Sequence, residues 1–249
     1  MAHLIADRAA GLLLERELSK LSRVLDNPAR PLVAVLGGAK VSDKLAVIER
    51  FLQLADTLLI GGALCFPFLA AQGHSVGASL CASDDVELAG RALASAERAR
   101  AELQLPVDLV LADRFAADAD VRAIDGVEVP AGWAGLDIGR QTSDRYAAAI
   151  ERAGIVFWNG PMGAFELAPF AAGARAVAEA IAAAPATTVV GGGDSVSALR
   201  SFGLTDQVTH VSTGGGASLE LIEGKSLPGV EVLRDTGTRE PAAAVEVAG

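Results

Sequence analysis

The sequence predicts an α/β fold: a three-layer, doubly wound (Rossmann-like), six-stranded and mainly parallel sheet with helices on both faces. Three observations carry that expectation. Short apolar runs alternate with longer stretches of helical periodicity. The runs are continuous rather than alternating, as strands buried on both faces require. Five of the six runs end in a glycine cluster, and a parallel sheet gathers all those ends along one edge, where ligands bind.

The chain opens with a helical pattern over 6–26, stopped by Asn27-Pro28. Strands are expected at 32–36 (LVAVL), 57–60 (TLLI), 107–111 (VDLVL), 155–158 (IVFW), 187–190 (TTVV) and 208–212 (VTHVS). Helices are expected at 41–55, Leu64–Gln72, 84–103, 142–153, 170–184 and 194–202, with a short one at Ala217–Ile222. From Arg234 the periodicity is lost, so 234–249 reads as a loose tail. The expected organisation is therefore an opening helix (1–26), an α/β domain (27–233) and that tail (234–249).

Composition narrows the function classes. The 249 residues are 51% apolar, enough for a sizeable core, and the net charge is −10. A general nucleic-acid or anionic-membrane surface would need clustered Lys and Arg, so neither is expected. Cys65 and Cys81 lack metal or redox spacing. No secretion signal and no run of ~18 apolar residues is present, so a cytoplasmic location is expected.

The strand ends carry the chemistry. They read Gly37-Gly38-Ala39-Lys40, Gly61-Gly62-Ala63, Ala112-Asp113-Arg114, Asn159-Gly160-Pro161-Met162-Gly163, Gly191-Gly192-Gly193-Asp194 and Thr213-Gly214-Gly215-Gly216. Glycine lets backbone approach a ligand closely, and a helix N-terminus after it offers N–H groups to phosphate. Lys40 and Lys44 are two of only four lysines, and a helix would put them on one face. They are either phosphate ligands or solvated surface. Asp194 is either an N-cap or a carboxylate that holds Mg²⁺ against phosphate. Walker and dinucleotide fingerprints are absent. Gly73-His74-Ser75-Val76-Gly77 matches the nucleophile elbow of serine hydrolases, but a helix precedes it where a strand is needed. The one histidine after Ser75, His210, lies in an expected buried strand.

Seven segments, in order, make the chain resemble the C-terminal, nucleotide-binding domain of phosphoglycerate kinases: "RPLVAVLGGAKVSDKL" (30–45), "LLIGGALCFPFLAAQGHSVG" (58–77), "VDLVLADRF" (107–115), "GWAGLDIG" (132–139), "VFWNGPMGAFE" (156–166), "VVGGGDS" (189–195) and "HVSTGGGASLELIEGKSLPGV" (210–230). The resemblance implies a phosphotransferase that moves a phosphoryl group between 1,3-bisphosphoglycerate and ADP, with Mg²⁺ accompanying ADP or ATP. It implies an adenine slot from Gly38, Ala39, Gly62, Gly135 and Leu136. Asn159, Pro161 and Glu166 would surround ribose and phosphates, with Glu166 on the ribose hydroxyls. Lys44 would contact nucleotide phosphate, and Lys40 would stabilise the group in flight. Gly192, Gly193, Asp194 and Ser195 would hold the phosphates and Mg²⁺, while Gly214, Gly215 and Gly216 would offer N–H groups to the transferring group.

The sequence also departs from the family. Nothing resembles the N-terminal domain that binds the phosphoglycerate; "AGLLLERELSKL" (10–21) resembles the helix that joins the two domains. Ala63 stands where a third glycine is usual, Arg140 where proline is common, and Pro67 is expected to interrupt its helix. The expected function is the nucleotide half of such a kinase, inactive without its other half. The alternative is a stand-alone adenine-nucleotide-binding module without kinase activity. The apolar face of the first helix (Leu12, Leu13, Leu18, Leu21) predicts either an N-terminal-domain partner chain or self-association.

Overall fold

The computed structural model describes residues 9–234. Helix α1 (Leu12–Leu25) leads into β1 (Leu32–Leu36), α2 (Leu45–Leu54), β2 (Thr57–Ile60), α3 (Cys65–Ala71) and α4 (Ser83–Ala96). Strands β3 (Glu102–Gln104), β4 (Asp108–Ala112), β5 (Val121–Asp125) and β6 (Ala134–Ile138) follow. The rest alternates: α5 (Arg140–Glu151), β7 (Ile155–Asn159), α6 (Ala172–Ala183), β8 (Thr187–Gly191), α7 (Gly193–Phe202), β9 (His210–Val211), α8 (Gly216–Ile222) and α9 (Pro228–Arg234).

The main sheet has six strands in the order β3-β2-β1-β7-β8-β9, all parallel. Alternate strand residues serve opposite faces. Leu32, Ala34 and Leu36 of β1 pack with Phe51 of α2 and Phe68 of α3, and Val33 and Val35 pack with Tyr146 of α5 and Val177 of α6. Both faces are covered, which is why these strands read as unbroken apolar runs. The doubly wound expectation holds.

Two strands of that expectation are corrected. The run at 107–111 does not join the parallel sheet: β4 pairs antiparallel with β5 and β6 in a separate sheet of order β5-β4-β6. It was also the one run without a glycine cluster at its end. Its partners carry no continuous apolar run; β5 (VRAID) is largely exposed and β6 (AGLDI) contains a glycine. The sixth parallel strand is β3, which overlaps the end of the stretch expected to be helical over 84–103. It is an edge strand with polar Glu102 and Gln104 around Leu103, and α4 stops at Ala96.

Smaller corrections concern helix ends. The expected helix over 41–55 begins only at Leu45, so Lys40 and Lys44 do not share a helical face. Pro67 does not break α3; it sits in the first turn, where no intrahelical bond needs its missing N–H. Arg140 is the first residue of α5, a position that suits proline elsewhere. Only His210–Val211 of the expected strand 208–212 is ladder-paired. On α1, Leu12 and Leu13 are exposed, but Leu21 is buried in the core and Leu18 is half-buried, so the free face is shorter than expected. The tail expected over 234–249 lies outside the described residues except Arg234, the last of α9.

A buried network fixes α1 to the end of β9. The Glu17 carboxylate accepts hydrogen bonds from Ser212 Oγ (2.9 Å) and from Thr213 N–H (2.8 Å), and His210 Nε2 lies 3.2 Å away. Burial pushes the Glu17 carboxyl up, but the bonds from Thr213, Ser212 and His210 outweigh it and hold the group below its ordinary range.

Candidate functional site

Four of the five glycine turns converge. A cavity of about 300 Å³ opens where the turns after β1, β2, β7 and β8 meet. Gly38 and Ala39 line it from the first turn, and Gly62 and Ala63 from the second. Pro161, Gly163, Ala164 and Glu166 contribute from the third, and Asp194 from the start of α7. The rest of the lining is apolar: Gly135 and Leu136 of β6, with Leu80 and Phe115 from loops. Eight residues assigned from the resemblance thus face one space: Gly38, Ala39, Gly62, Gly135, Leu136, Pro161, Glu166 and Asp194.

Leu80 and Phe115 had no assigned role, yet they line the cavity. Phe115 is 70% exposed and Leu80 57% exposed, both unusual for large apolar side chains. Phe115 ends the quoted segment "VDLVLADRF", but nothing periodic marks it. The usable signal was an aromatic in a polar loop of an aromatic-poor chain.

Backbone contact explains the glycines best. The turns after β1 and β7 touch directly. A Cβ on Gly37 would collide with the carbonyls of Pro161 and Gly160, and one on Gly160 with the Gly37 carbonyl. Gly192 has φ 89° and serves as N-cap of α7, in the left-handed region that favours glycine.

The lysines separate. Lys44 Nζ donates to Gly37 O (2.5 Å) and to Asn159 O (3.1 Å), beneath the junction of the two turns. Burial pushes its ammonium down to about 8, against the pull of Asp194 and Asp43. It is therefore held next to the cavity but does not line it. Lys40 is exposed on the loop before it.

Several assigned residues brace the turns. Asn159 is buried and its Nδ2 donates to Gly191 O (2.9 Å), joining β7 to β8. Ser195 is buried, and its Oγ accepts the Gly160 N–H (2.5 Å), so its side chain faces the turn after β7. Gly193 is the first residue of α7 and has open space around it. The turn at Gly214, Gly215 and Gly216 does not line the cavity; it follows β9, one strand beyond β8. Asp137, next to Leu136, is buried, and its Oδ2 accepts the Gly173 N–H (2.7 Å), fastening β6 to α6. Burial pushes its carboxyl up to about 7, opposed by N–H groups of Gly173, Ile138 and Ala174.

For a metal, the donor set is sparse. Among the described residues no cluster of three His, Cys, Asp or Glu side chains could hold an ion. Asp194 is not the N-cap but sits in the first turn of α7, exposed and facing the cavity. One exposed carboxylate lining a cavity is within what Mg²⁺ uses, since it takes one or two carboxylates and completes its shell with other oxygens and water.

The hydrolase motif carries no nucleophile. Ser75 Oγ donates to the Val129 carbonyl (2.8 Å), while His74 Nδ1 pairs with Glu128 (2.5 Å). His210 is engaged with Glu17. No described base contacts Ser75 Oγ.

Comparison with known proteins agrees with this geometry. The family model described as phosphoglycerate kinase matches residues 1–225. A phosphoglycerate kinase of Chloroflexus aurantiacus is 55% identical over 229 residues, covering 91% of this chain and 57% of that protein. One from Rubrobacter xylanophilus is 55% identical over 225 residues, covering 90% and 57%. The solved phosphoglycerate kinase of Coxiella burnetii superposes with TM-score 0.90 at 43% identity, covering 93% of this chain and 60% of that one. That of Pyrococcus horikoshii OT3 gives 0.79 at 32%, covering 94% and 59%. Among the described residues no helix is long and apolar enough to cross a membrane. This chain spans 57% of the length of the curated relatives named here. With nearly all of it inside one match and its strand-end turns gathered on one cavity, it belongs to the phosphoglycerate kinase family, as part of such a protein.

Proposed function

We propose that residues 27–233 form the Mg²⁺-nucleotide half of a phosphoglycerate kinase, and that α1 adjoins the half that binds the phosphoglycerate. The observation that carries this reading is the convergence of four glycine turns and an apolar wall on one cavity. A flat base fits between Leu136, Leu80 and Phe115, and the ribose hydroxyls face Glu166. The phosphates run along the strand ends past Asp194, toward the β9 turn. The exposed Leu12 and Leu13 on α1 offer an apolar surface to the phosphoglycerate-binding half or to a second copy of the chain.

The chemistry asked of these residues is placement and charge neutralisation. An acyl phosphate is already a reactive donor, so moving its phosphoryl group to ADP needs in-line geometry rather than a strong base. Lys40 sets an exposed ammonium beside the transferring group. Lys44 supplies a second charge from under the turns, and the N–H groups opening α7 face the phosphates. Asp194 would hold Mg²⁺, which would supply charge neutralisation at the phosphates. On a chain of net charge −10 we assign the phosphoglycerate to the other half, so the reaction needs both halves.

Calorimetric titration tests the reading. The full chain should bind MgADP saturably with Kd of about 10 μM to 1 mM and show negligible turnover of 1,3-bisphosphoglycerate alone. Absence of binding up to several millimolar MgADP would sink it.

A further inference from the structure

Asp85 lies outside the cavity and has no role in the site described above. It is the third residue of α4 and is buried. At that position an acid ordinarily reaches back to the N–H of its own N-cap. The Asp85 carboxylate instead accepts the backbone N–H of Ser42 (2.8 Å), 43 positions away in the chain. Among the described residues this is the hydrogen bond that ties the backbone of 39–43 to another element. That stretch carries Lys40 and ends at Lys44, the N-cap of α2, which has no side-chain cap of its own. Its remaining anchors are the buried Val41 side chain, the local Lys44 N–H to Val41 O bond (2.9 Å) and, at its end, the Lys44 Nζ bonds to Gly37 O and Asn159 O. The same segment that supplies Leu80 to the apolar wall thus grips the lysine loop five residues later.

From this we infer that Asp85 is a positioning residue: it holds the stretch 39–43 so that the Lys40 ammonium meets the phosphates of a bound nucleotide. The inference rests on the nucleotide reading above. A hydrogen bond to a buried carboxylate is stronger than a neutral one, and losing it frees a loop that has no other inter-element backbone bond. Only ligands that use the lysines feel that loss. The base wall keeps its shape, because Leu80 lies before α4 and Phe115 on another loop.

Two ligands separate positioning from general damage. In the full chain, MgADP carries phosphates and adenosine carries none. D85A should weaken MgADP about tenfold and leave adenosine within about twofold. D85N should restore MgADP binding, because its amide oxygen still accepts the Ser42 N–H. If D85A fails to fold, D85E, which displaces the acceptor by one methylene, should show the same split. Equal weakening of both ligands, no weakening of either, or D85N behaving like D85A would overturn the inference. Wild type binding neither ligand would instead remove the nucleotide reading, and this inference with it.

Discussion

The two walls of the cavity are built on opposite plans. The wall from the parallel sheet is mostly glycine turns and the start of α7, with the Glu166 and Asp194 carboxylates on it and Lys44 folded onto carbonyls beside it. The other wall, from the small antiparallel sheet and its loops, is side chain: Leu136, Leu80 and Phe115. Backbone recognition demands the absence of side chains, so it leaves glycines in the sequence. Apolar recognition demands only a surface of suitable shape, so many residues serve and none is diagnostic. The start of α7 in the first wall suits an anion, while the second wall, with the close backbone at Gly38, Ala39 and Gly62, suits a flat apolar ring.

The largest test of that contrast separates two kinds of glycine within the backbone wall. Gly37 is there for packing: a Cβ meets the Pro161 and Gly160 carbonyls, which cannot move aside like a flexible side chain. Gly37→Ala should cost about 3 kcal/mol of stability in urea unfolding, and nucleotide binding with it. Gly193 has nothing within 4 Å and opens α7, so no packing contact requires it, and the proposed function gives it to the ligand. Gly193→Ala should keep stability within about 0.5 kcal/mol and weaken MgADP about tenfold. If both variants lose stability alike, the glycines serve the fold only.

The same contrast explains what the sequence disclosed. Strands β1, β2, β7 and β8 were legible because burial on both faces leaves continuous apolar runs, and four glycine clusters after them marked the cavity. Strand β3 was hidden because an edge strand of three residues shows solvent its polar side chains. Strands β5 and β6 were hidden because one is mostly exposed and the other is broken by Gly135, whose Cβ would strike the Phe66 ring. Assigning the run at 107–111 to the main sheet followed from its apolarity alone; the missing glycines after it were the contrary signal. Within the site, motif resemblance named residues on both walls but not their states. That Lys44 binds carbonyls and Ser195 braces the Gly160 turn depends on contacts between distant segments, which no spacing encodes.

The side-chain wall is tested at Phe115. Because it is 70% exposed, Phe115→Ala should leave the thermal midpoint unchanged. Losing an aromatic face should weaken MgADP and adenosine alike, by about tenfold. That equal effect is the reverse of the split expected for D85A, so the pair of variants assigns base and phosphate to separate walls. A Phe115→Ala protein that loses MgADP but keeps adenosine would swap the walls.

The smallest effect concerns charge beneath the backbone wall. Burial lowers Lys44 to about 8 in the free protein, with Asp194 and Asp43 opposing. A bound phosphate favours the ammonium and raises that value, so binding takes up a proton wherever the free lysine is neutral. MgADP affinity should therefore fall as pH rises through about 8, by roughly fivefold between about pH 7.5 and 9. Stability should move the other way. The unfolded lysine keeps its proton up to its ordinary value of 10.5, so between about 8 and 10.5 the unfolded state binds more protons and folding gains with pH. K44R stays charged throughout and should flatten both profiles. Calorimetry and urea midpoints across this range read the two slopes separately. A K44R profile as steep as wild type would assign the titration to another group and leave Lys44 as a brace between Gly37 and Asn159.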